Sequence, residues 1–145
     1  MEQLNKKMFL ESLNKFGFCD VIINGKSMWP FILPKDKIHI VKIQSQPSFG
    51  DVVAFFAKEQ LIIHRIINIE SLFSKKITNF KVCGDSSYGS TGIISSSQII
   101  GKALYLIRNN KKHTLWLKSP GKFIAIFCGI FLRAILSLKF KILSN

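Results

Sequence analysis

Two apolar runs meeting at a polar corner constrain this chain more than anything else in it. Val52-Val53-Ala54-Phe55-Phe56-Ala57 and Leu61-Ile62-Ile63-His64-Arg65-Ile66-Ile67 flank Lys58-Glu59-Gln60. Both runs are rich in β-branched and aromatic residues, and each is too short to be a self-sufficient helix. Their spacing predicts two antiparallel strands closed by a tight connection. A hairpin this apolar is stable only inside a larger sheet, so the rest of the chain must supply further strands.

It does. "CDVIING" predicts a strand entering a glycine turn, and Asp36 to Ile43 alternates polar and apolar residues with period two. "FKVC" predicts a strand running into Gly84-Asp85-Ser86-Ser87, and "IIGKALYLIRNNKKHTLWLK" predicts two more about Asn109-Asn110-Lys111-Lys112. "GDSSYGSTGIISSSQ" is Ser- and Gly-rich and reads as a loop. Leu4, Met8, Phe9, Leu13 and Phe16 recur at helical spacing, so residues 2–16 predict an amphipathic helix ending before Gly17 and capping the sheet. The fold class is mostly β, with a short helix at the N-terminal edge and an apolar helix at the C-terminal edge.

The 145 residues, 48% of them apolar, are enough for one compact domain with a real core. Residues 1–118 are expected to form it, with the sheet core at about 20–108, and 119–145 to form a separate basic, apolar segment. There an uninterrupted apolar run from Phe123 to Leu132 is followed by Arg133, Lys139 and Lys141, a pattern suited to a helix lying at a bilayer surface. The N-terminus offers no apolar stretch long enough for a signal peptide or anchor, which points to a cytoplasmic or membrane-associated protein. Twenty-one Lys and Arg against eight Asp and Glu give a formal charge of +13, favouring an anionic partner. Anionic lipid suits the basic C-terminal segment, and nucleic acid is not expected. Cys19, Cys83 and Cys128 are widely spaced, odd in number, and read as small buried hydrophobes. No His/Cys cluster and no phosphate-binding glycine loop is present in the sequence, so no metal or other cofactor is expected.

The chemistry-bearing stretch is "GKSMWPF", residues 25–31. A surface turn gains nothing from Met28, Trp29 and Phe31, whereas a serine facing an apolar substrate gains from all of them. Ser27 needs a base and oxyanion donors to act as a nucleophile. Gly25 leaves room for a substrate backbone, and Pro30 stiffens the chain beyond the serine. His64 is the best base: it shares a strand face with Ile62 and Ile66, which places it on the apolar side, with Arg65 pointing to water. Asp85 either orients His64 or pins its own turn. His39 and His113 read as surface residues, and Asp36 and Asp51, each just before a strand, as structural.

In order along the chain, "NGKSMWPFILPKDKIHIV", "FGDVVAFFA", "LIIHRII" and "KVCGDSSYGS…IIGKALYL" resemble the successive boxes of the superfamily that joins type I signal peptidases to LexA-type autopeptidases. The resemblance runs from about Asn24 to Leu106. It implies curled antiparallel sheets and a serine endopeptidase that cleaves precursor or leader peptides. Ser27 would be the nucleophile, His64 the general base of the histidine variety, and Gly25, Ser27, Met28 and Pro30 the oxyanion and substrate-binding stretch. The sequence departs from that pattern in having Gly25 where signal peptidases carry a serine, and Tyr88-Gly89-Ser90-Thr91 where a further acid is usual. These departures leave a peptide-binding, catalytically silent relative as the alternative. A self-cleaving regulator is a second, although too little chain precedes Asn24 for a DNA-binding domain.

Overall fold

A computed structural model describes residues 6–71, 78–86 and 91–113. Helix α1 (Lys6–Phe16) is followed by β1 (Phe18–Ile22), β2 (Lys37–Lys42), β3 (Val52–Ala57), β4 (Gln60–Ser71), β5 (Thr78–Cys83), β6 (Thr91–Ser95), β7 (Ile99–Arg108) and β8 (Lys111–His113). All described pairings are antiparallel, in the order β1-β2-β7-β3-β4-β5-β6, with β8 hydrogen-bonded to β7. The expected C-terminal helix and the boundary at 118/119 lie outside the described residues.

Local chemistry explains several element ends. Gly17 has a positive φ of 78 degrees, the left-handed conformation that stops α1, and its N–H closes on the Leu13 carbonyl at 3.1 Å. Such a glycine satisfies a helix-end carbonyl at no steric cost. Asn109 and Asn110 also have positive φ, 50 and 60 degrees. A two-residue β7–β8 turn requires this pair of values, and asparagine tolerates them best after glycine.

The centre of the sheet is covered on both faces. Along β3, Val52 and Ala54 join one apolar cluster with Phe9 and Leu13 of α1 and with Ile38, Ile40, Ile63 and Leu106. Val53 and Phe55 join a second with Ile66, Phe80, Val82, Ile94 and Ile99. Strand β7 serves both, with Ile99 in the second cluster and Ala103 and Leu106 in the first. The register shifts at His39/Ile40, Ala54/Phe55 and Ile66/Asn68 are irregularities of the kind that bend and coil a sheet, allowing a strand to pass from one core to the other.

Two expectations are corrected here. The Ser/Gly-rich stretch contains strand β6, paired through Ile94 with Phe80, and a short 3₁₀ turn at Ser96–Gln98. Its β-branched Ile93-Ile94 pair outweighs the loop-like composition, because Ile94 is buried in the second cluster. His39 is also no simple surface residue: its ring lies between Phe18 and Tyr105, with Nδ1 2.7 Å from Asp20 Oδ1.

Gly101 of β7 marks a close approach. A Cβ there would lie 2.5 Å from Ile40 Cγ2 and 3.1 Å from the Val41 carbonyl oxygen. A branched core side chain and a ladder carbonyl have little room to move, so Gly101→Ala is expected to destabilise the fold by about 1–3 kcal/mol in denaturant melts. An unchanged midpoint would show that β2 and β7 separate easily.

Candidate functional site

Ser27 lies in the long β1–β2 connection, half-buried. The chain after it coils into a turn, with the Phe31 and Ile32 N–H groups donating to the Met28 carbonyl at 3.1 and 2.9 Å. The Trp29–Pro30 peptide is cis. Met28, 3% exposed, and Ile32, fully buried, insert into the first cluster and peg this turn to the sheet. Met28 is therefore core, in contrast to the expectation that it faces a substrate, because the turn directs it inward while Trp29 stays exposed. Gly25 is exposed, and a Cβ there would meet open space among the described residues.

His64 is 5% exposed in the middle of β4, opposite Val53 of β3. Its ring meets Phe55 edge-on at 6.1 Å, on the face that also carries Ile66, as its strand parity predicted.

Arg65 overturns its expected position. It is completely buried. Its Nε donates to Asp85 Oδ1 at 2.8 Å and its Nη2 to Asp85 Oδ2 at 2.6 Å, while Nη1 donates to the Gly50 carbonyl at 3.0 Å. Period-two reasoning assumes that the face opposite an apolar one meets water. Here both faces are covered, so the guanidinium is kept in the interior by a bidentate carboxylate and a carbonyl. Asp85, 6% exposed, thus engages Arg65 through both oxygens.

That pair fixes the turn after β5 beside β4, and the turn in turn holds the serine loop: the Ser86 N–H donates to the Ser27 carbonyl at 2.9 Å. Ser27 and His64 are thereby linked through Ser86, Asp85 and Arg65, each step a hydrogen bond or a covalent neighbour. Sequence reading missed Arg65 and Ser86. The one available signal was an arginine embedded in an apolar run, which burial on both faces would force to find an acid.

A second ion pair holds the other end of the loop. Arg108 of β7 donates from Nε to Asp36 Oδ1 at 2.8 Å and from Nη2 to Asp36 Oδ2 at 2.6 Å. Nη2 also donates to the Phe31 carbonyl at 3.0 Å, and the Leu33 N–H donates to Asp36 Oδ2 at 2.7 Å. Burial alone would raise the Asp36 carboxyl, but the hydrogen bonds from Arg108 and Leu33, with the charges of Arg108 and His113, outweigh it and hold the group below its ordinary value. A carboxylate with a depressed folded value stabilises the fold above the unfolded value of about 3.9 and loses that contribution as pH falls through the folded one. The gap in unfolding free energy between wild type and Asp36→Asn is therefore expected to be full at neutral pH and to shrink below about pH 4. A gap that stayed constant down to about pH 2 would contradict the linkage. Asp51 is structural too: its Oδ2 lies 2.8 Å from Lys102 Nζ and accepts the Ser48 N–H at 2.9 Å.

Cys19 and Cys83 are buried free thiols, and burial pushes the Cys19 thiol up. Cys128, and residues 87–90, which cover most of the stretch where a further acid is usual in the resembling family, lie outside the described residues. Among the described residues, no helix is long and apolar enough to cross a membrane. No protein-family model matches the chain, and no curated protein is significantly similar to it.

Proposed function

We propose that this protein is a serine endopeptidase related to the histidine-base signal peptidases, acting on precursor or leader peptides through a Ser27–His64 dyad. His64 takes the Ser27 hydroxyl proton as Oγ attacks the scissile carbonyl, and returns it to the departing amine as the acyl ester forms. Water, activated by the same imidazole, then cleaves the ester and regenerates the serine. Backbone N–H groups at the start of the turn, that of Ser27 among them, would hold the oxyanion.

The observation that carries this reading is the Ser86 N–H to Ser27 carbonyl bond, since it ties the serine loop to the turn anchored by Arg65, the residue that follows His64 on β4. The open side of Gly25 supplies an approach for an extended peptide. In this reading Asp85 holds Arg65 and the turn through both its oxygens, and orienting His64 is the second role proposed for it.

Substrate is proposed to be met at an anionic membrane surface. In support, Ile22 of β1, Lys37 of β2, Ile107 of β7 and Lys112 of β8 lie in register across four strands, with Ile22 60% exposed and Phe18 also exposed on β1. Strand β8 ends at His113, ahead of the basic C-terminal segment.

The test is cleavage of a panel of secretory precursors by wild type, Ser27→Ala and His64→Gln. Cleavage by wild type alone supports the endopeptidase. Absence of cleavage by all three leaves the peptide-binding relative, and scission confined to the protein itself marks the self-cleaving regulator. Flotation with anionic vesicles, with and without residues 121–145, tests the surface; equal flotation after truncation removes that segment from the proposal.

A further inference from the structure

We propose that Arg108, at the far end of β7, is a positioning residue for Ser27, a role that rests on the nucleophile assignment above. The turn that begins after Ser27 is gripped at both ends. At its near end the Ser86 N–H holds the Ser27 carbonyl at 2.9 Å. At its far end Arg108 Nη2 holds the Phe31 carbonyl at 3.0 Å while the same guanidinium forks onto both oxygens of Asp36. Asp36 closes the base of the loop: its carbonyl accepts the Ile23 N–H at 2.9 Å, and its carboxylate accepts the Leu33 N–H.

Between these grips the backbone has little freedom. The Trp29 N–H bonds the Lys26 carbonyl at 3.1 Å, the Phe31 and Ile32 N–H groups bond that of Met28, and the Lys35 N–H bonds that of Ile23 at 2.6 Å. Lys35 itself has a positive φ of 75 degrees, a left-handed value uncommon for a residue with a Cβ and sustained by the contacts on either side. Moving the Phe31 carbonyl therefore moves Met28, and moving Met28 moves its neighbour Ser27. Arg108 grips both Asp36 and the Phe31 carbonyl with one guanidinium. A lysine there would keep the charge but lose the rigid fork. Nucleophilic attack is sensitive to displacements of about 1 Å, which can lower rates roughly 10²-fold, so a loosened grip reaches the hydroxyl although Arg108 touches no reacting atom.

The experiment measures the rate at which a fluorophosphonate labels Ser27 in wild type, Arg108→Lys and Asp36→Asn, with the folded fraction of each fixed by circular dichroism. The expected result is a fall of about 10–100-fold per folded molecule in both variants, with the pH dependence of labelling unchanged because His64 is untouched. A purely structural ion pair would lower the melting temperature and leave labelling per folded molecule at the wild-type rate, and that result overturns the proposal. If wild type is not labelled, the nucleophile assignment fails, and amide hydrogen exchange reads the hold on the loop separately. Faster exchange at residues 27–36 in Arg108→Lys, with β3 to β5 unchanged, then shows only that Arg108 holds the loop, and the positioning role falls with the nucleophile; identical exchange overturns the hold as well.

Discussion

Asp85→Leu is expected to lose about 3–5 kcal/mol of unfolding free energy, because it leaves the Arg65 guanidinium in a fully buried site with the Gly50 carbonyl in place of a countercharge. Taking a charge out of water is tolerable only when its partner goes with it, and here that partner accepts two hydrogen bonds from the guanidinium. Replacing both members, Arg65→Met with Asp85→Leu, removes the charge as well as the pairing. It is expected to recover most of the loss, the remainder reflecting the donor withdrawn from Gly50. Urea denaturation of the two singles and the double reads the coupling directly. If the double mutant is as unstable as the sum of the singles, the pair is not what holds the turn after β5. The same double mutant separates stability from function: a recovered fold without the Arg65–Asp85 strut still lacks the tie that brings Ser86 to Ser27, so its peptide cleavage is expected to stay low.

The second large effect concerns the proposed Ser27–His64 dyad. Ser27→Ala and His64→Gln are each expected to reduce kcat by roughly 10⁴–10⁶-fold, and the double variant to be no worse than either single. In the proposed mechanism one proton moves between two groups, so removing either removes the whole step, and the losses do not add. His64→Gln is preferred to His64→Ala because His64 is buried against Phe55, and truncation there would add a packing defect to the chemical one. The measurement is kcat on a fluorogenic precursor peptide for wild type, both singles and the double. Losses that multiply would mean the two residues act in separate steps, and retained activity in Ser27→Ala would remove the serine from the mechanism altogether.

Much of the secondary structure was legible because it is local. The β3–β4 hairpin, the β7–β8 turn at Asn109-Asn110 and the helix closing at Gly17 each follow from a few adjacent residues whose propensities agree with the fold. Strand β6 was hidden because its serine and glycine mask two isoleucines, and what decides the matter is a partner strand rather than the segment itself. Ser27 and His64 were legible as candidates through residue type and their place in ordered motifs. Asp36 and Asp51 were legible as structural acids, without their partners.

The amino-acid order by itself determined most of the segments that extend, where several of them turn, and which side chains are candidates for a nucleophile and a base. Only the tertiary structure decided who pairs with whom: Arg65 with Asp85, Arg108 with Asp36, and the Ser86 amide with the Ser27 carbonyl. The physical reason lies in burial. Period-two alternation tells two faces of a strand apart but not which of them water reaches, and covering both faces of β4 forces an arginine to seek a carboxylate twenty positions away. Such pairings depend on desolvation at sites assembled from distant strands, a quantity no local stretch of sequence contains.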